Sequence, residues 1–122
     1  EGAGRTLGYV NAPSIFQQVT AECCDLTSDI SVYERNCTLL TDALREMGYH
    51  VVQPGGAFYL FPRSLEPDDM AFSARAKQFD LLLVPGSGFG AAGHFRIAYC
   101  VQTEMIQRAL PRFKALADSY KK

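Results

Sequence analysis

Arg96 is a candidate for binding a small anionic ligand. It lies in the run Phe-Arg-Ile-Ala-Tyr-Cys, residues 95–100, where all of the remaining side chains are apolar or small. A guanidinium cannot discard its charge, so enclosing it requires an anionic partner, and its planar fork pairs bidentately with a carboxylate. These residues leave two interpretations open: an arginine on an exposed strand edge, or one that binds the carboxylate of a ligand.

A glycine-rich segment, residues 85–93, precedes this arginine and contains the GxGxxG spacing of dinucleotide-binding loops. In those proteins a helix follows and binds the pyrophosphate at its N-terminus. Here the following residues alternate like a strand, which argues against a nucleotide site. The loop is long for a plain hairpin, and long loops often line functional sites. We therefore expect it to position a functional side chain in the residues that directly follow it.

The elements that would position these residues begin with two helices. Asn11 and Pro13 mark the first helix start, and Ser28 or Ser31 would cap the second, which ends before Gly48. Each helix carries an apolar stripe at helical spacing. The stripes consist of Ile15, Val19, Cys23 and Leu26, then Cys37, Leu40, Leu44 and Met47.

The second half mixes strands with helices. A short strand at residues 51–52 and a turn lead to strands at residues 58–61, 81–84 and 95–100, and residues 80–84 are apolar enough to pack on both faces. A short helix is predicted from Pro67 to about Lys77, and a last helix from a cap at Thr103, kinked or restarted at Pro111. This order predicts an α+β fold, a two-layer sandwich in which helices cover a short, mainly antiparallel sheet of three to four strands.

Length and composition limit the function classes. The 122 residues suit one domain, 1–122, and a net charge of −1 gives no reason to expect nucleic acid or an anionic membrane as partner. No apolar run approaches the roughly 20 residues that span a bilayer. The cysteines lack metal-ligand spacing, so we predict no metal site and instead buried, reduced thiols in a cytoplasmic protein. They are Cys23, Cys24, Cys37 and Cys100.

Four ordered segments resemble the C-terminal region of the class I/II aminotransferases, pyridoxal-phosphate enzymes of the aspartate aminotransferase fold (fold type I). The segments are Leu-Gly-Tyr-Val at residues 7–10, Pro-Gly-Gly-Ala-Phe-Tyr-Leu-Phe-Pro at 54–62, Leu-Val-Pro-Gly-Ser-Gly-Phe-Gly at 83–90 and Gly-His-Phe-Arg-Ile-Ala-Tyr at 93–99. The resemblance covers residues 8–116 and includes the helices between these segments. One such segment would be weak evidence, but the ordered set is specific.

The resemblance assigns roles to single residues. Arg96 matches the arginine that binds the α-carboxylate of the substrate, and Phe58 matches an aromatic residue that faces the active-site cleft, although a core position explains Phe58 equally well. The family binds the cofactor phosphate through an arginine two residues before the glycine matching Gly8. Thr6 stands there, so Arg5, one residue earlier, is the candidate for cofactor binding.

The family's Schiff-base lysine lies upstream of the position of Glu1, so the resemblance implies no catalytic residue in this fragment, which is expected to be inactive alone. Its lysines, Lys77, Lys114, Lys121 and Lys122, are expected to be solvated.

The resemblance implies an enzyme that uses pyridoxal 5'-phosphate to transfer an amino group between an amino acid and a 2-oxo acid. It also implies a large N-terminal domain as partner and a homodimer. Two alternatives stay open: another fold type I enzyme, such as a carbon–sulfur lyase or an acyl-transferring synthase, and a non-catalytic binding module.

Overall fold

The computed structural model describes residues 12–27 and 29–121. Arg5 and Thr6, the positions considered for the cofactor phosphate, lie outside the described residues. In the described part of the chain, four α-helices and three short strands follow one another: α1 (Ser14–Glu22), α2 (Ile30–Glu46), β1 (Tyr59–Leu60), α3 (Asp69–Ala76), β2 (Val84–Pro85), β3 (Phe95–Ala98) and α4 (Thr103–Asp118). Two 3-10 turns, Lys77–Phe79 and Gly86–Phe89, lie between α3 and β3.

The three strands form one antiparallel sheet in the order β1-β3-β2. Strand β3 is central, with Tyr59 opposite Ala98 on one side and Val84 opposite Arg96 on the other. Each outer strand pairs with β3 over two residues, so the strands are shorter than the apolar runs that predicted them.

The core lies between this sheet and helices α2, α3 and α4. Aromatic rings meet at its centre, where Tyr49 packs edge-on against Phe95 at 6.0 Å between ring centres. The predicted α+β sandwich, with helices on one face of a short antiparallel sheet, is confirmed. Its fully buried apolar side chains include Leu40, Leu44, Leu60, Phe72, Phe95 and Leu116.

The boundaries of α2 follow from its end residues. Asp29, rather than Ser31, is the N-cap, and its carboxylate accepts a hydrogen bond from the Ser31 amide at 2.9 Å. The other predicted cap, Ser28, lies outside the described residues. Gly48 follows the helix with a φ of 94°, a conformation that glycine adopts without penalty, as expected for a residue that ends a helix.

Two predicted backbone features are wrong. Residues 51–52 form no strand, because the Val51 carbonyl accepts hydrogen bonds from Nε and Nη2 of Arg45 at 3.1 and 3.0 Å. Thr103 does not cap α4, because it is the first helical residue and Gln102 occupies the N-cap position. The Thr103 hydroxyl instead donates to Oδ1 of Asn36 at 2.7 Å. Pro111 lies inside one continuous helix, so α4 does not restart there.

Several apolar positions are uncovered within the described chain. Leu81 and Leu83 are buried, but Leu82 is 85% exposed, so the prediction that residues 80–84 pack on both faces is wrong. Helix α1 has no buried residue, and no described residue covers its apolar stripe.

The prediction that the cysteine thiols are buried holds for Cys37 alone. All four cysteines are free, as predicted, but Cys23, Cys24 and Cys100 are exposed. Cys23 and Cys24 directly follow the uncovered α1, and Cys100 follows the end of β3.

None of the described helices has the length and hydropathy needed to cross a membrane. Across residues 12–27 and 29–121, histidine, cysteine and acidic side chains form no group of three that could hold a metal ion.

Candidate functional site

Arg96 lies on the face of the sheet that points away from the core. Along β3, Phe95 is buried against the helices, whereas Arg96 and Ala98 alternate to the other face and are partly or fully exposed. The partners opposite them, Val84 and Tyr59, share this outer face because paired residues of antiparallel strands point to the same side. The outer face therefore presents the Arg96 cation next to apolar and aromatic side chains.

Two aromatic rings hold the Arg96 guanidinium. Its central carbon lies 4.5 Å from the centre of the Tyr59 ring and 4.3 Å from that of Phe89, both cation–π distances. Phe61 supports Phe89 edge-on at 6.1 Å between ring centres. No carboxylate of the described residues forms an ion pair with Arg96. The cation is thus oriented by rings rather than neutralised, which leaves it able to bind an external anion.

The glycine loop that carries Phe89 is tightly closed. The Gly86 amide donates to the His94 carbonyl at 2.8 Å, and the Ala91 amide donates to the Gly86 carbonyl at 3.0 Å. A Cβ on Gly86 would lie 2.3 Å from the Ala91 oxygen, so only glycine fits. Strand β3, not a helix, follows Gly93, in agreement with the argument against a nucleotide site.

Asp69 contacts this loop from α3 and is a site residue that the sequence did not reveal. Its buried carboxylate accepts a hydrogen bond from the Ser87 amide at 2.7 Å, and this bond holds the pKa of Asp69 below its usual range. Two acids at a helix start suggest only a favourable interaction with the helix dipole. In the structure Asp68 is the cap and Asp69 contacts the loop, a division that the sequence Pro-Asp-Asp alone does not reveal.

Phe58 stands at the edge of the same region. Its side chain is 43% exposed, so the core alternative for this residue does not hold, and its ring centre lies 4.5 Å from that of Tyr59. The segment before it is fixed by Tyr99, whose hydroxyl donates to the Ala57 carbonyl at 2.6 Å and whose amide donates to the Phe58 carbonyl at 3.0 Å. Phe58 and Arg96 thus both contact the Tyr59 ring.

The described residues do not form a site for pyridoxal phosphate. A lysine that binds an aldehyde is activated by desolvation or by a neighbouring cation, whereas Lys77, Lys114 and Lys121 are exposed. Lys121 pairs with Asp118 at 3.1 Å. The chemistry of the Arg96 guanidinium instead suits a carboxylate ligand.

Comparison with known proteins places the chain in a family. Residues 9–113 match the family "Aminotransferase class I and II", and the chain belongs to it. It is 35% identical over 83 residues to the aspartate/prephenate aminotransferase of Thermus thermophilus, an alignment covering 66% of this chain and 22% of that protein. It is 36% identical over 97 residues to aromatic-amino-acid aminotransferase 2 of Thermococcus litoralis, covering 73% and 24%.

Solved structures agree with this membership and with the fold. The crystal structure of an amino transferase from Eubacterium rectale matches with a TM-score of 0.87 at 47% identity, covering 99% of this chain and 30% of that one. An aromatic aminotransferase from Pyrococcus horikoshii matches with a TM-score of 0.69 at 35% identity, covering 75% and 26%. The chain therefore spans less than a third of the length of these relatives.

Proposed function

We propose that residues 1–122 are the C-terminal small domain of an aminotransferase that transfers an amino group between an amino acid and a 2-oxo acid. The observation that carries this proposal is the geometry of Arg96. Its guanidinium is held between the Tyr59 and Phe89 rings on the open face of the sheet, with no ion-pair partner among the described residues. Amino acids and 2-oxo acids share the carboxylate that such a fork binds.

Arg96 would orient the substrate rather than react with it. Two parallel N–H···O bonds from one guanidinium fix both the position and the plane of a carboxylate, and so the position of the adjacent α-carbon. Phe58, which is exposed beside Tyr59, would contribute a second contact to the substrate. The cofactor, pyridoxal 5'-phosphate, would be held mainly by the rest of the enzyme, and Arg5 of this chain would bind its phosphate.

The proposed partner is a large N-terminal domain, and the whole enzyme is proposed to be a cytoplasmic homodimer. Several large apolar residues left uncovered along α1 support a partner, because a helix with an exposed apolar stripe suits an interface. The free cysteines suit a reducing compartment. The exposed apolar residues include Ile15, Phe16 and Val19 on α1, Leu26 after it, and Leu82 before β2.

An exchange assay on the full-length enzyme tests the proposed reaction. Incubation with an amino acid and a different 2-oxo acid should yield the new 2-oxo acid and the new amino acid in equal amounts. Products of carbon–sulfur cleavage or acyl transfer without exchange would assign the chain to another fold type I enzyme. Binding without conversion would favour a non-catalytic module.

A second assay tests whether the fragment is inactive alone. After incubation of the 122-residue chain with pyridoxal phosphate and borohydride, mass spectrometry should find no stoichiometric lysine adduct. A full adduct at a single lysine would contradict the assignment of the cofactor site to the rest of the enzyme.

A further inference from the structure

We propose that Asp69 is a positioning residue for Arg96: its carboxylate fixes the glycine loop through the Ser87 amide, and Phe89 on that loop then holds the guanidinium. This inference rests on the proposed role of Arg96 in carboxylate binding. It adds a residue of α3 to a site otherwise built from the sheet and its loops.

The position of Asp69 is not explained by helix capping. Asp68 is the N-cap of α3, and its carboxylate accepts hydrogen bonds from the amides of Met70 at 2.9 Å and Ala71 at 3.1 Å. The Asp69 side chain is buried, with 5% of its surface exposed, and turns to the Ser87 amide at 2.7 Å. A buried carboxylate is costly unless it is hydrogen-bonded, and the Ser87 amide supplies such a bond to Asp69.

The loop makes few other hydrogen bonds to the rest of the fold. Its backbone bonds at residues 86–91 are internal or run to His94: Gly86 to His94 at 2.8 Å, Ala91 to Gly86 at 3.0 Å and Gly90 to Ser87 at 3.2 Å. Among the described residues, Asp69 provides the side-chain hydrogen bond that reaches these residues from another element. Removing it would leave the turn held by its strand ends and by the packing of Phe89 on Phe61 and Arg96.

The link from Ser87 to Arg96 is short. Ser87 and Phe89 belong to the same 3-10 turn, Gly86–Phe89, and the Phe89 ring centre lies 4.3 Å from the guanidinium carbon. A displacement of Ser87 therefore displaces Phe89 and opens one side of the cation. The Ser87 amide lowers the pKa of Asp69, so the carboxylate is ionised at neutral pH and the hydrogen bond is charge-assisted.

The test compares Asp69→Ala with Asp68→Ala in the 15N-labelled 122-residue chain. Both variants lose a carboxylate at the start of α3, but only Asp69→Ala removes the tie to the loop. In Asp69→Ala we expect amide exchange at Ser87 to be about tenfold faster, as for the loss of one hydrogen bond to a charged group. We also expect the Arg96 Nε–H resonance to shift toward its position in Phe89→Leu, where one ring contact is missing. Asp68→Ala should leave both signals near their wild-type values.

An equal response of Arg96 in the two variants, or no shift in Asp69→Ala, would overturn the inference, because Asp69 would then stabilise α3 only. If Asp69→Ala does not fold, Asp69→Asn against Asp68→Asn decides the question, since asparagine keeps the shape and a neutral acceptor. Asp69→Asn should then shift the Arg96 Nε–H resonance part of the way toward its position in Phe89→Leu, and Asp68→Asn should leave this resonance unchanged. The readout involves no catalysis, so failure of the aminotransferase proposal would leave this result unaffected.

Discussion

The guanidinium of Arg96 lies over the ring of Phe89, with 4.3 Å between the guanidinium carbon and the ring centre. Tyr59 of β1 contacts the same guanidinium at 4.5 Å. A strand residue and a loop residue thus restrict a side chain that would otherwise sample many rotamers. Such restriction lowers the entropy lost when a carboxylate binds.

Phe89→Leu should weaken substrate binding modestly. Leucine keeps an apolar side chain but has no ring face for the cation, and a partly exposed cation–π contact contributes about 0.5–1 kcal/mol. The KM of the full-length enzyme for its amino acid should rise about two- to fivefold with little change in kcat. Phe61→Leu, which removes a ring from the same face at 6.1 Å from Phe89, is the control and should have a smaller effect. Equal effects would argue against a specific contact with Arg96.

Gly86→Ala should destabilise the chain, and Gly88→Ala should not. A Cβ at Gly86 meets backbone oxygens of Ala91 at 2.3 Å and His94 at 2.8 Å, whereas one at Gly88 meets nothing within 4 Å. In urea unfolding, the free energy of unfolding should fall by about 1–3 kcal/mol for Gly86→Ala and by less than about 0.5 kcal/mol for Gly88→Ala. Equal stability of the two variants would mean that the loop is looser than its hydrogen bonds indicate.

Asn36 should be among the most sensitive polar positions. It is fully buried, donates to the carbonyls of Tyr99 at 3.1 Å and Val101 at 2.7 Å, and accepts from the Thr103 hydroxyl. Asn36→Ala leaves these groups without partners and should reduce the free energy of unfolding by about 2 kcal/mol or more. Thr103→Val removes one of the three bonds and should cost about 1 kcal/mol. If both variants lose the same amount in urea unfolding, Asn36 does not organise this network.

Alkaline pH should destabilise the chain through Tyr49. Burial raises the pKa of Tyr49, so the stability it contributes is complete below its unfolded pKa of about 10 and is lost as the pH rises through the higher folded value. Tyr120 behaves in the same way, since burial and its bond to Glu66 raise its pKa. The free energy of unfolding should fall by up to about 1.4 kcal/mol per pH unit for each such tyrosine above pH 10.

Tyr49→Phe separates the contribution of Tyr49 from that of Tyr120. At pH 7 it should cost about 1 kcal/mol, because the Phe113 carbonyl loses the hydroxyl that donates to it at 3.1 Å. Above pH 10 the stability of the variant should depend less steeply on pH. Denaturant unfolding at several pH values measures both effects, and an unchanged slope would show that Tyr49 ionises without unfolding. Tyr33→Phe, on α2, controls for tyrosine loss and should be nearly neutral at pH 7.

The sequence predicted the parts of the site that depend on local pattern. Alternation placed Arg96 on the face opposite Phe95, and the glycines marked the loop before it. The sequence did not predict the contacts that depend on strand register or on how the loop closes. Tyr59 contacts Arg96 because β1 pairs with β3 in the sheet. Asp69 contacts Ser87 because the loop folds back onto α3. An apolar pattern in the sequence does not show whether another element of the chain packs against the apolar side chains.

The most direct test of the central claim compares two substrates in Arg96→Ala of the full-length enzyme. One is an amino acid, and the other is the matching amine without the α-carboxylate. We predict that kcat/KM for the amino acid falls about 100-fold or more, as for the loss of one partner of a hydrogen-bonded charge pair. The kcat/KM for the amine should stay near the wild-type value, as should both values in the control Arg112→Ala, whose guanidinium pairs with Asp80 at 3.1 Å. An equal fall for both substrates, or no fall for the amino acid, would contradict the assignment of Arg96 to the carboxylate.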